Sequence, residues 1–205
     1  MSQYDNDYYI VGTYYTPTQF HLSPTKNTPY RKFRYKRLTG GEPVFFENGF
    51  KDRDARTGDK RSVTDIMLDG SSLVVNEQLK AFLDQFEIDS MQLYPAVVID
   101  DNDVWHDSYW YLNFYGELDC WDRERSDYRS RENRISKAVE IKQYALDPEI
   151  LDAIPEERRL LFRMDGAKKA YVFAHKRIVK HCLENAYTGV RFFKVAEFRE
   201  GDQHL

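Results

Sequence analysis

The sequence predicts an α+β fold, a mixed and mostly antiparallel sheet with a few short helices. Three observations carry this. Aromatic residues are abundant, with 15 Tyr, 13 Phe and 3 Trp in 205 residues, and aromatic side chains favour pleated, half-buried surfaces. Two stretches repeat apolar residues at helical spacing. Between them lie short apolar runs punctuated by Asp-Gly and Asp/Asn turn signals, the mark of strands and hairpins. Hydrophobic residues make up 41% and charged residues 31%, so the chain has material for a core and disorder is expected only at the ends.

The opening aromatic run "YYIVGTYYTP" and "VFFENGF" flank a turn-rich segment from Pro24 to Pro43. Inside it, "RKFRYKR" alternates basic and aromatic residues from Arg31 to Arg37, as a strand with charge on one face would. "KDRDARTGDKRS", Lys51 to Ser62, is polar throughout and reads as a loop. Residues 1–62 are therefore expected to form a strand-poor, loop-rich aromatic segment packed on a main α+β domain at 63–205.

From Val63 the signals sharpen. "VTDIMLDG" is a strand ending in an Asp-Gly turn, and "LVV" is the next strand. Asn76 is placed to cap "EQLKAFLDQF", where Leu79, Phe82, Leu83 and Phe86 form one helical face. "MQLYPAVVI", the turn "DDND" and "VWHDSYWYLNFYG" make a long hairpin. "KAVEIKQYAL" is a strand, and "DPEILDAIP" a short helix with Asp147 as cap, Pro148 in its first turn and Pro155 as stop. "LLFRMDG" and "AYVFAH" are strands. "KRIVKHCLENA" is a helix with Ile178, Val179, Cys182 and Leu183 on one side, "GVRFFKVAEF" is a closing strand, and "REGDQHL" a frayed tail. The order Asp-Gly, strand, helix, strand occurs twice, around Gly70 and Gly166. It reads as two related strand–helix–strand units, with chance recurrence of a common motif as the alternative.

Composition narrows the function. A net charge of −4 argues against a general affinity for nucleic acid, which needs a basic face. "RKFRYKR" could stack and bind single strands, but an edge strand guarded by Lys and Arg is the better reading. Cys120 and Cys182 give no disulfide framework, so a reducing compartment is expected. The start "MSQYDNDYYI" has no signal-peptide pattern, and no apolar run approaches the roughly 20 residues of a membrane helix. A cytoplasmic location follows as an expectation.

The chain carries no phosphate-cradling glycine motif. His175 and His181 are six apart, off the spacing of helical zinc pairs, and "DDND" lacks the oxygen ligands and glycine of a calcium loop. No metal or cofactor is expected. Cys120 lies between Asp119 and Asp122, which oppose a thiolate. The same two carboxylates near Trp121 could do acid–base work, but a solvated charged turn explains them better.

The most unusual stretch is "NFYGELDCWDRERSDY", Asn113 to Tyr128, an aromatic strand running into a dense mix of both charges. Tyr111, Leu112 and Asn113, followed by Asp119, Cys120, Asp122, Ser126 and Tyr128, stand between two strand–helix–strand segments. This order, from Leu73 to Val195, resembles immunity protein family eleven of bacterial polymorphic toxin systems, formerly a domain of unknown function. The resemblance implies a non-catalytic protein that binds and neutralises a toxin encoded nearby, protecting the producing cell. Toxin-binding candidates are Trp105, Asp119, Trp121, Asp122, Arg123, Glu124, Arg125 and Tyr128, with Trp105, Trp121 and residues 122–125 expected to be exposed. Charge would steer the encounter and aromatic anchors would hold it. The competing readings are a small hydrolase using Asp119, Asp122 or His106, and a nucleic-acid binder using "RKFRYKR" with the arginine-rich run from Arg123 to Arg134. Exposed aromatics also make a homo-oligomer credible.

Overall fold

The computed structural model describes residues 2–13, 16, 18–26, 28, 35–70, 72–129 and 138–204. Arg31 to Arg34 of the basic-aromatic string, and residues 130–134 of the arginine-rich run, lie outside them. The chain runs α1 (Gln3–Asp7), β1 (Tyr8–Gly12), β2 (Leu22–Pro24), β3 (Val44–Asn48), α2 (Lys51–Thr57), β4 (Ile66–Asp69) and β5 (Ser72–Asn76). It continues through α3 (Glu77–Leu83), β6 (Met91–Ile99), β7 (Trp105–Phe114), β8 (Asp127–Arg129), β9 (Glu140–Gln143) and α4 (Pro148–Asp152). Then come β10 (Leu161–Arg163), β11 (Val172–His175), α5 (Lys176–Glu184) and β12 (Arg191–Lys194), with short 3-10 turns at Glu156–Arg159 and Asp202–His204.

One sheet has six strands in the order β2-β3-β6-β7-β5-β4, another has four in the order β10-β11-β1-β12, and β8 pairs with β9. Every pairing between named strands is antiparallel except β3 with β6. This is the α+β fold with a mixed, mostly antiparallel sheet that the sequence predicts.

The two strand–helix–strand segments share one topology. β5 and β6 flank β7, pair antiparallel with it, and are joined by α3. β11 and β12 flank β1 in the same way and are joined by α5. The order β4-β5-β7-β6 therefore reads like β10-β11-β1-β12. In one case the intervening strand follows in sequence, and in the other it comes from the N-terminal segment. The helix starts also correspond. Asn76 Oδ1 accepts the Leu79 N–H at 2.9 Å, and His175 Nδ1 accepts the Arg177 N–H at 3.5 Å, satisfying helix-start donors that would otherwise lack partners.

Both helices bury their apolar faces in one core. Leu79, Leu83, Ile178, Val179 and Cys182 pack there with Val11, Leu73, Val75, Leu112, Leu161 and Ala174 of the two large sheets. Phe82 of α3 stacks on His181 of α5 with ring centroids 3.7 Å apart and planes 3° off parallel. The far face of the four-stranded sheet carries Tyr8, Ile10, Phe162 and Phe173, covered by residues that include Cys120, Trp121, Leu146 and Leu151. The far face of the six-stranded sheet buries Phe46, Met67, Val74, Val98 and Tyr111 with Phe20 and Leu22.

Several expectations are corrected. The first 62 residues are not strand-poor: they hold β1, central to the four-stranded sheet, and β2 and β3 of the other. Lys51 to Ser62 is not all loop, because α2 occupies Lys51–Thr57 and Gly58, at φ 76°, ends it. α2 buries no apolar stripe; its buried residue is Asp54, held by Arg61. Leu183, placed on the apolar face of α5, is 69% exposed. The tail is tied down, with Gln203 buried and its amide donating to Glu200 at 2.9 Å.

Buried imidazoles make stability depend on pH. Burial lowers the pKa of His175 below its ordinary 6.5, reinforced by Arg159 and Lys176 and opposed by Glu156 and Asp7. Burial also lowers those of His21 and His181. The unfolded chain then binds protons more readily, so stability is complete above about pH 6.5 and is lost as pH falls below it. Thermal unfolding followed from about pH 8 to about pH 5 is expected to show a falling midpoint. His175→Asn, which keeps a cap acceptor as Asn76 does, is expected to flatten part of that slope.

Candidate partner-binding site

The Asp119–Tyr128 segment lies over the far face of the four-stranded sheet. Trp121 bridges to Leu146 and is only 3% exposed. It is a core residue and not the exposed anchor that its charged neighbours suggested. Tyr128 packs edge-on against it at 5.0 Å. The charges cover this ring and pair with one another. Arg123 lies 4.1 Å over the Trp121 ring, donates to the Trp121 carbonyl at 2.8 Å and bonds Asp119 at 2.6 Å. Asp122 Oδ1 accepts the Glu124 and Arg125 N–H groups, and Oδ2 accepts Arg125 Nε at 2.6 Å. Arg125, backed by these bonds, holds the Asp122 carboxyl below the usual carboxylate range. Arg125 also reaches Asp5 and the Leu146 carbonyl. Burial pushes the Cys120 thiol far up, with Asp119 and Asp147 adding to it, which leaves no reactive thiolate.

The structure pairs His106 and the two carboxylates with different partners. His106 Nε2 sits 3.2 Å from Asp100 at the β6–β7 hairpin, while Asp119 and Asp122 are bonded to Arg123 and Arg125 on the other sheet's cover. Among the described residues, no three His, Cys, Asp or Glu side chains converge as metal ligands would, and no helix is long and apolar enough to cross a membrane.

Among the described residues, a different face stands open. Leu93 and Pro95 of β6 lie opposite Leu112 and Trp110 of β7, and Leu93, Leu112 and Trp110 pack in or against the shared core. Strand alternation puts Val97 and Ile99 on the same face. Their partners there are Phe45 and Glu47 of β3, and Trp105 opposite Ile99. Towards β3 and β2 this face is a groove of about 900 Å³ lined by Phe45, Ile99, Trp105, Phe50, Arg53 and Arg56, among others.

Trp105 is 63% exposed and Phe50 36%. The Trp105 ring meets Phe45 edge-on at 5.8 Å, and Phe50 is backed by His21 at 4.5 Å. Arg53 lies 4.2 Å over the Phe50 ring. Lys51 of α2 bonds Asp103 of the hairpin turn at 2.7 Å, which raises its pKa. Below them Arg61 holds the Asp54 pKa down to about 2. Aromatic rings with neighbouring arginines are the side chains that most often anchor protein interfaces.

A family model for immunity proteins (Imm11) matches residues 9–197. The chain belongs to the immunity protein family Imm11. No curated protein matches it. The Imm11 match begins at Tyr9, inside β1, so it takes in N-terminal strands that lie before the resemblance at Leu73–Val195. Of the eight candidates, the structure gathers Asp119, Trp121, Asp122, Arg123, Glu124 and Arg125 in the loop that leads into Tyr128 of β8, and puts Trp105 on the groove. Sequence reasoning missed Phe45, Ile99 and Phe50. The alternation in "VFFEN" was the available signal, since it sets Phe45 and Glu47 on one face and buries Phe46 on the other.

Trp121→Ala is expected to destabilise the fold by about 3–5 kcal/mol, measured by denaturant unfolding. Arg123→Ala, which removes a half-exposed ion pair and a ring contact, is expected to cost about 1 kcal/mol.

Proposed function

We propose that this Imm11 protein protects the cell that makes it by binding a toxin and covering it, without catalysis. The toxin is encoded nearby and is met in the cytoplasm of the producer. The contact face is the groove around Trp105. The observation that carries this is the exposure of Trp105 beside Phe45, Phe50 and Ile99. Such an apolar cluster, rimmed by charged side chains, is costly to leave in water unless a partner uses it. The Asp119–Tyr128 segment is the weaker candidate, because its indole is buried and Asp119 and Asp122 are paired with Arg123 and Arg125.

Co-expression with the neighbouring toxin tests the reading. Growth is expected to be rescued by the wild-type chain; equal killing with and without it would refute neutralisation. Trp105→Ala is expected to weaken toxin binding by about 2–4 kcal/mol in calorimetry, as an interface anchor does, while leaving the unfolding midpoint unchanged. Unchanged affinity would place the contact face elsewhere.

A further inference from the structure

We propose that Asn48 is the positioning residue that sets the shape of this groove, a role that takes its functional meaning from the partner-binding reading above. The groove has two walls from distant parts of the chain. One is α2 with Phe50, and the other is Ile99 and Trp105, the strand ends joined by the β6–β7 turn, with Ser23, Thr25 and Lys26 along the β2 side. Asn48, at the end of β3, is 2% exposed and has almost no surface to offer a partner.

Its amide joins both walls. Nδ2 donates to Asp54 Oδ2 of α2 at 2.9 Å and to Asp101 of the turn at 3.0 and 3.1 Å. Oδ1 accepts the Phe50 N–H at 3.0 Å. Both amide hydrogens and the carbonyl are therefore used. The orientation is fixed, because a flipped amide would set its oxygen against two carboxylates. Asp54 is itself clamped by Arg61, so the anchor under α2 does not yield. A second bond between the walls, Lys51 to Asp103, has side chains 38% and 77% exposed and contributes little in water. The buried amide carries the coupling, and a groove shaped before the partner arrives spares the ordering cost of binding.

Asn48→Asp keeps the shape, removes the donor and faces Asp54 and Asp101 with a third carboxylate. Amide hydrogen exchange of the free chain is expected to speed up about tenfold or more in residues 50–56 and 99–106, by local opening, while β5, β10 and β11 keep their protection. Adding Asp101→Asn returns a donor from the other side and is expected to slow residues 99–106 again. Unchanged exchange in both segments overturns the proposal, as does equal acceleration through both sheets, which is general unfolding. Affinity for an inactivated domain of the toxin encoded beside the gene is expected to fall about tenfold in Asn48→Asp and to recover in part with Asp101→Asn. Loosened walls with unchanged affinity would also overturn it. If the wild-type chain does not bind that toxin, the neutralisation reading fails, and the exchange data alone decide whether Asn48 couples the walls.

Discussion

Leu79 and Leu83 of α3 are buried with Ile178, Val179 and Cys182 of α5 in a core that also takes side chains from both large sheets. Neither sheet could hide its apolar face alone. Each fully buried aliphatic or aromatic side chain contributes about 1.5–3 kcal/mol, so this shared core dominates what holds the two halves in register. It also fixes the reach of the cover. The four-stranded sheet and the two helices span β4, β5, β7 and the first part of β6, and the six-stranded sheet is wider than that. The face of β3 and the far end of β6 is left over, and Phe45, Ile99 and Trp105 stand on it. The groove is thus a geometric consequence of packing a wide sheet against a narrow one.

The charged stretch at Asp119–Tyr128 solves a different physical problem. An irregular segment over a sheet must satisfy its backbone groups and exclude water from the apolar rings below. Asp122 caps two N–H groups, Arg125 ties the segment to Asp5 and Leu146, and Arg123 covers Trp121. Charge density there serves enclosure. At the groove the residues are ordered the other way, with charged networks buried beneath and aromatic rings above. Asp54, Arg61 and Asn48 are buried, while Trp105 and Phe50 are exposed.

Much of the secondary structure was legible because its causes are local. The caps Asn76 and Asp147, the Pro148 helix start and the long β6–β7 hairpin appear where spacing and turn chemistry put them. α2 was not legible, because it lacks an apolar period and is held by an ion pair to Arg61. Its partner lies outside the helix, so no pattern within the helix marks it. β1 was missed, because its aromatic run carries no clean alternation, and its place between β11 and β12 rests on pairing over most of the chain, which leaves no local trace. Trp105 was legible as a candidate only as one aromatic among many.

By itself the sequence determined the fold class, the two strand–helix–strand segments and the resemblance to an immunity family, since these rest on periodicity, caps and residue order. Tertiary structure alone decided which tryptophan meets solvent. Trp105 and Trp121 both sit among charged residues, and adjacency along the chain does not distinguish them. The difference is what lies opposite each ring: Trp121 faces a sheet that needs covering, and Trp105 stands on a sheet face that the shared core does not reach.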